Sequence, residues 1–160
     1  MLPRSILQPI NQVDASGGRS AMKPVIRFAV ATDIDICLQY DHCKDRGLLL
    51  RKIEAGELII AELDGKPVGY LTIQFIWEVL PYISLVRVAE PFQRQGIGRR
   101  MLAFLEQHLR EQGHKQLLSS SQVDEPEPQA WHRARGFREC GILAGVNEGA
   151  IGEVFFRKKL

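Results

Sequence analysis

The stretch Val86-Arg87-Val88-Ala89-Glu90-Pro91-Phe92-Gln93-Arg94-Gln95-Gly96-Ile97-Gly98-Arg99-Arg100-Met101 organises the reading of this chain. Its front end continues a strand from Tyr82 to Val88, which stops before Pro91 because proline cannot donate to a ladder. Its back end opens a helix. From Ile97 onward Met101, Phe104, Leu105, His108 and Leu109 recur at three- and four-residue spacing, one face of an amphipathic helix that Gly113 stops. Between the two, Gly96 and Gly98 stand where strand turns into helix, so backbone N–H groups can approach a phosphate with no Cβ in the way, and the helix dipole favours the anion. Arg94, Arg99 and Arg100 cluster around the same turn.

Two other phosphate loops do not fit. A dinucleotide-binding fold needs G-x-G-x-x-G after its first strand, whereas Met101 stands at the place of the last glycine and several strands come first. A Walker loop needs G-K-[ST], which is missing here.

Working outward, Val25 to Val30 reads as a first strand. Thr32 is then an N-cap, with Asp33 and Asp35 in the first turn of a helix from about Asp33 to Cys43. Leu48 to Ala55 gives a second helix ending at Gly56. Glu57 to Glu62 and Val68 to Phe75 flank Asp64-Gly65, a strong hairpin signal. A turn is expected around Pro81. Downstream, Leu117 to Ser121 reads as a strand and Glu125 to Arg135 as a helix capped by Asp124; Phe137 to Ala144 and Ile151 to Arg157 read as closing strands. The order β, α, α, β, β, β, α, β, α, β, β has no internal repeat, and its runs of strands exclude a purely alternating parallel fold. An α/β (α+β) domain with a mixed sheet flanked by helices is expected over residues 23–160, with residues 1–22, containing Ala15-Ser16-Gly17-Gly18-Arg19-Ser20, as an extension or linker.

The chain has 160 residues, 45% of them hydrophobic and 25% charged, which are ordinary globular values, and its net charge of +2 leaves no basic stripe for nucleic acid. No apolar run approaches the roughly 20 residues of a membrane helix. Cys37, Cys43 and Cys140 are odd in number and lack a C-x-x-C pair, so reduced thiols, a cytoplasmic address and no metal site are expected. No signal peptide is recognised.

The longer pattern from Val86 to Gly98 resembles the acetyl-CoA motif of the GNAT N-acetyltransferases: a strand, a proline, then [QR]-x-x-G-x-[GA] opening a helix. Ala130-Trp131-His132-Arg133-Ala134-Arg135-Gly136-Phe137 resembles that family's helix-plus-G-F segment, and the likeness covers Val25 to Leu160. It implies a mostly antiparallel sheet splayed at a cofactor cleft. It also implies acetyl-CoA as acyl-donor cosubstrate, held by Val86, Arg87, Val88, Gln93, Arg94, Gln95, Gly96, Ile97 and Gly98, and direct transfer of the acetyl group to an amine without a covalent enzyme intermediate. In the family the residue at the Val86 position donates its N–H to the thioester carbonyl, and Val88 and its neighbours pair with pantetheine like an extra strand.

Deprotonating the amine needs a base, directly or through water. Tyr82, four residues before Val86 on the same strand face, stands where some relatives have a carboxylate, although a phenol near pKa 10 is a poor base unless perturbed. Glu78 has better intrinsic chemistry and also reads as a solvated surface glutamate; Glu153 is a third candidate. Many relatives have a tyrosine as thiolate-protonating acid at the position of His132. That histidine is either the acid here or a half-buried helix residue beside Trp131. Glu125 stands where relatives often carry an asparagine, and a carboxylate there offers no N–H donor.

Phe75, Trp77 and Tyr82 with the Gly145 to Gly149 loop are candidates for an acceptor pocket, or simply packing, and Glu78 and Glu148 would suit a cationic amine. The partners expected are acetyl-CoA and a small-molecule or peptide amine, without nucleic acid or membrane, and the closing strands are compatible with a homodimer. A non-catalytic acyl-CoA-binding sensor is the alternative function.

Overall fold

The computed structural model describes residues 23–160, so the proposed extension over residues 1–22 lies outside the described residues. The elements are β1 (Val25–Phe28), α1 (Ile34–Tyr40), α2 (Arg46–Glu54), β2 (Leu58–Leu63), β3 (Lys66–Ile76), β4 (Leu80–Val88), α3 (Ile97–Glu111), β5 (Gln116–Gln122), α4 (Pro126–Ala134), β6 (Arg138–Leu143) and β7 (Glu153–Lys159), with short 3₁₀ turns before α1, before α3 and before β7. The order matches the sequence reading element for element. The strands form one mixed sheet in the order β1-β2-β3-β4-β5-β7-β6, with β4 and β5 parallel and the other pairings with described register antiparallel.

Two compact units make up the described chain. One contains residues 23–72 and Leu85–Leu102. Its hairpin between β2 and β3 turns on Asp64 (φ 52°) and Gly65 (φ 71°), both left-handed, as a two-residue turn matched to strand twist requires. Leu49, Leu58, Ile60 and Tyr70 lie at the centre of its core, joined by Ile34, Cys37 and Tyr40 from the turn and helix after β1. Two polar devices sit in this core. The Arg27 guanidinium forks onto Asp33 (2.6 and 3.0 Å) and Glu62 (2.6 and 3.2 Å), which holds the Asp33 carboxyl below its usual range. The buried Tyr70 hydroxyl donates to Asp41 at 2.7 Å, while the other Asp41 oxygen accepts the Cys43 N–H at 2.8 Å. These bonds correct two expectations. Asp33, not Thr32, stands at the N-cap of α1, with its carboxylate accepting the Val30 N–H, and α1 stops at Tyr40 because Asp41 turns extended and binds Cys43 instead of continuing the helix.

In the same unit Gly69 lets α3 close on the sheet. A Cβ on Gly69 would lie 3.0 Å from Met101 Cε and 3.1 Å from Ala61 Cβ, so a side chain there would press on Ala61 and displace the end of the Met101 side chain in α3's first turns. The strand interior therefore bears on where the glycine loop comes to rest.

The other unit contains Ile73–Ser84 and Ala103–Leu160. The turn expected around Pro81 lies earlier: Val79 N–H bonds to Ile76 O at 3.3 Å, Trp77 (φ 52°) and Glu78 (φ 63°) are both left-handed, and Pro81 is already inside β4. A tryptophan at positive φ is sterically costly, yet Trp77 is 82% exposed. Among the described residues the parallel register of β4 with β5 is limited to Tyr82↔Leu118 and Ile83↔Ser119, whereas β5 pairs with β7 along its whole length, from Gln116↔Lys159 to Gln122↔Glu153. Neither Asp124 nor Glu125 caps α4 through its side chain; Gln129 Nε2 instead donates to the Gln122 and Val123 carbonyls, 3.0 Å each, tying the first turns of α4 to the end of β5. The buried carboxylate of Glu106 on α3 is paired with Lys158 of β7 and Arg110.

His132 fastens α4 to β5. Its ring is buried, stacked on Phe156 with centroids 4.7 Å apart, with Nδ1 2.7 Å from Pro128 O and Nε2 2.8 Å from Ser119 Oγ. A carbonyl only accepts, so Nδ1 carries the proton, and Nε2 of the neutral ring accepts from the Ser119 hydroxyl, whose other acceptor, Ile83 O, is farther away at 3.4 Å. Burial pushes its pKa from 6.5 down to about 4, against a smaller opposing contribution from the Pro128 carbonyl.

Two predictions follow from this packing. Gly69→Val should lower stability by about 1–3 kcal/mol through overpacking against Ala61 and Met101, measured as a shift in the denaturation midpoint at constant m-value. For His132 the folded state disfavours the charged ring, so its contribution is complete above the unfolded pKa near 6.5 and is lost as pH falls toward 4. That loss amounts to about 3 kcal/mol. The stability of His132→Gln should therefore depend less steeply on pH than that of the wild type across that window, with the two profiles parallel above pH 7.

Candidate active site

The glycine loop is built from its own side chains. Gln93 Nε2 donates to Val88 O at 3.0 Å and Gln95 Nε2 donates to Pro91 O at 2.9 Å, so two glutamines brace the turn between β4 and α3 against its own backbone. Pro91 lies within a short 3₁₀ turn, Glu90–Phe92, that redirects the chain. Arg94 (φ 60°) and Gly96 (φ 82°) are both left-handed. At Gly96 the space where a Cβ would stand is open; its nearest neighbour is Arg99 Nη2 at 3.8 Å. Gly96 O accepts the Arg100 N–H at 3.1 Å, at the first turn of α3, and among the described residues the amides just before Arg100 have no carbonyl partner one turn back, which leaves them available to an anion. Ile97 is buried and anchors the helix start, while Arg94, Arg99 and Arg100 are exposed around it.

Leading into the loop, Val86 and Val88 are half-buried on β4, and the Ala89 N–H bonds to Val68 O at 2.9 Å. Arg87, an expected cofactor residue, has its side chain engaged within the chain: Nη1 donates to Tyr40 O at 2.9 Å, satisfying a carbonyl at the end of α1. Burial lowers its pKa and the nearby Asp41 opposes that shift.

The other unit holds the candidate acid and bases. Tyr82 Oη lies 2.6 Å from Ser120 Oγ, Ser120 Oγ donates to Glu153 Oε1 at 2.5 Å, and Asn147 Nδ2 donates to Glu153 Oε2 at 2.8 Å. Burial raises the Tyr82 pKa; the Ser120 hydrogen bond lowers it and the charge of Glu153 raises it further. His132 binds Ser119, the residue next to Ser120 on β5. Successive strand residues point to opposite faces, so Tyr82 and His132 lie on opposite faces of the sheet. Glu78 is exposed at the tip of the β3–β4 turn, and among the described residues nothing pairs with it. The structure thus brings Tyr82 together with Glu153 and separates both His132 and Glu78 from them.

Sequence reasoning missed Ser120 and reached Asn147 only as part of the Gly145 to Gly149 loop, without its tie to Glu153. Strand alternation places Ser120 and Glu153 on the Tyr82 face once the register of β5 against β7 is known, and Asn147 is buried in the loop before β7. Among the expected acceptor residues, Phe75 packs its ring against His114 with centroids 5.5 Å apart, and Tyr82 packs against Phe155 at 6.0 Å. Burial, with help from Asp124 and Glu153, raises the Glu125 pKa. Among the described residues no cluster of His, Cys, Asp or Glu is suited to a metal ion, and no helix is long and apolar enough to cross a membrane.

Comparison with known proteins agrees with this construction. The model of the acetyltransferase (GNAT) family matches residues 27–137. Among solved structures, Ard1 from Thermoplasma volcanium is similar at a TM-score of 0.75 and 17% identity, covering 86% of this chain and 97% of its own. A ribosomal-protein-alanine N-acetyltransferase from Brucella melitensis is similar at a TM-score of 0.72 and 25% identity, over 85% of this chain and 99% of its own. A GNAT family acetyltransferase from Elizabethkingia anophelis, solved with acetyl-CoA bound, is similar at a TM-score of 0.69 and 21% identity, over 86% and 98%. No curated protein sequence matched. With a glycine-bearing strand-to-helix loop, a mixed sheet in the matching fold and a family match that spans most of the described residues, this chain belongs to the acetyltransferase (GNAT) family, acyltransferases that take acetyl-CoA as donor.

Proposed function

We infer that the protein transfers the acetyl group of acetyl-CoA to a primary amine by direct attack in a ternary complex. The observation that carries this reading is the loop from Gln93 to Gly98: braced by two glutamine-to-backbone bonds, left-handed and open at Gly96, and leading into a long helix with exposed arginines beside its start. A pyrophosphate fits these residues, because the cradle consists of backbone amides and a Cβ at Gly96 would stand in it. The Val86 N–H would polarise the thioester carbonyl, and Val86 and Val88 would align the pantetheine arm. The Val88 carbonyl already accepts from Gln93, leaving one lone pair for a further donor. Arg87, bound to the end of α1, supports the strand and is not needed as a phosphate ligand.

Tyr82, whose hydroxyl meets Ser120 and through it Glu153, is the residue assigned to receive the amine proton. His132 is assigned to positioning: a neutral ring with both nitrogens engaged has no proton to deliver, so the departing thiolate takes its proton from the attacking nitrogen or from water. Glu78, alone at a hairpin tip, is assigned to acceptor contact and not to proton transfer.

A peptide α-amine is the favoured acceptor class, on the 25% identity to a ribosomal-protein-alanine N-acetyltransferase. A cytoplasmic site of action is supported by three unpaired cysteines, and a homodimer by the exposed edge strand β6 with Ile142 and Leu143 outward.

The test is acetyl-CoA binding by calorimetry with wild type and Gly96→Asp, followed by CoA release across a panel of peptide and small amines. Gly96→Asp places a charge and a strained Cβ in the cradle and should weaken binding more than about 10-fold, or by 1.4 kcal/mol, with an unchanged far-UV spectrum. Turnover of at least one amine by wild type completes the case. Binding without turnover of any amine would favour a sensor, and absence of binding would overturn the reading.

A further inference from the structure

The side chains that meet Tyr82 form a directed chain. Both carboxylate oxygens of Glu153 accept, Oε1 from the Ser120 hydroxyl at 2.5 Å and Oε2 from Asn147 Nδ2 at 2.8 Å. Ser120 has one proton, and it is committed to Glu153, so in the Tyr82–Ser120 contact at 2.6 Å the phenol is the donor. Tyr82 has no other hydrogen-bond partner among the described residues, so its oxygen keeps its lone pairs to accept from a group outside the chain. Three strands hold this line: Tyr82 on β4 pairs with Leu118, Ser120 on β5 pairs with Phe155, and Glu153 begins β7 opposite Gln122, all on one sheet face. Asn147 is itself buried and fixed by its N–H to Ile151 O at 3.0 Å. The charged groups around Glu153 are few. Glu125 at the start of α4 is close enough to interact, Asp124 stands beside Glu125, β6 contributes Leu143, and among the described residues no cation pairs with Glu153.

We propose that Tyr82, Ser120 and Glu153 form a proton relay that takes a proton from the acceptor ammonium, with Glu153 as the store and Asn147 as the residue that orients it. The proposal rests on the acetyl-transfer reading and adds to it the destination of the proton. The ammonium N–H passes its proton to Tyr82 Oη as the phenolic proton moves to Ser120 Oγ and the seryl proton moves to Glu153 Oε1. Both hydroxyls end neutral, and one positive charge on nitrogen and one negative charge on the carboxylate disappear together. The freed nitrogen lone pair then forms the C–N bond to the thioester carbonyl carbon, the C–S bond breaks, and the second nitrogen proton ends on the thiolate as thiol. Glu153 returns its proton to water. No oxidant or further reactant is required. A phenol with a raised pKa is a poor free base but an effective conduit, because it never has to exist as phenolate. Tyr82 is the group that touches substrate; Ser120, Glu153 and Asn147 act through it.

The test has two arms on the full chain. In the first, the Tyr82 Cζ resonance is followed by carbon-13 NMR against pH, without any substrate. It should show a pH-dependent step in the wild type, and that step should vanish in both Glu153→Gln and Ser120→Ala. In the second, kcat and KM are measured against pH with an amine that the wild type turns over. Glu153→Gln should lower kcat about 100-fold near pH 7, with acetyl-CoA affinity within about 2-fold of wild type, a margin of roughly 0.4 kcal/mol, and with kcat recovering as pH rises and the amine deprotonates unaided. Ser120→Ala should behave alike, Ser120→Thr should restore most of the rate because it restores the hydroxyl, and the double variant should be no slower than either single one. A Tyr82 resonance indifferent to Glu153, a Glu153→Gln enzyme with wild-type kcat, or additive losses in the double variant would each overturn the relay. Should no amine be turned over, the acetyl-transfer reading fails by itself, and the NMR arm still decides whether the three side chains share a proton.

Discussion

The alternation of side chains along β5 is the constraint from which the chemistry of its unit follows. This strand is registered to β4 on one side through Tyr82↔Leu118 and Ile83↔Ser119 and to β7 on the other along its whole length. Ser119 and Ser120 are consecutive, so a serine hydroxyl is presented on each face. One face receives His132 from α4 and locks that helix to the sheet; the other receives Tyr82 and Glu153. A slip of one residue in β5 would exchange the two serines and break both arrangements at once. The dense pairing with β7 holds that register in place.

The other unit solves a different problem, which is to hold a glycine-rich turn still without filling it. Glycine lowers the steric cost of a left-handed turn but adds freedom that must be removed on folding. Gln93 and Gln95 remove part of it by hydrogen-bonding to Val88 and Pro91, and buried Ile97 and Met101 anchor the helix that follows. Met101 approaches β3 closely because Gly69 has no side chain there. The glycine in the strand and those in the loop thus act on one object, the start of α3, from its packed side and its open side.

Much of this was legible in the residues. Hydrophobic periodicity marked α3, the Asp64-Gly65 pair marked its hairpin, and the order of the eleven helices and strands of the described residues followed from local patterns, because these elements obey short-range rules of propensity and turn chemistry. The family could be read from Val86 to Gly98, since a loop that binds phosphate through backbone amides must spend its glycines at fixed places in the chain. Local rules failed where a side chain found a distant or unexpected partner. Thr32 had the right chemistry for a cap, but Asp33 took the position because Arg27 and the Val30 N–H meet its carboxylate. The turn assigned to Pro81 fell on Trp77 and Glu78, two residues with no intrinsic preference for left-handed backbone.

The sequence by itself determined the family and the donor it uses, because those were legible from residues adjacent in the chain. Only the tertiary structure decided which acidic and basic groups stand together. Tyr82 and Glu153 are far apart in sequence and share Ser120 between them; His132, which the sequence offered as Tyr82's counterpart, lies across the sheet with its ring buried and neutral. The reason is physical: proton transfer requires oxygen and nitrogen atoms within hydrogen-bond distance, and that distance is set by strand register and sheet face, neither of which local composition encodes.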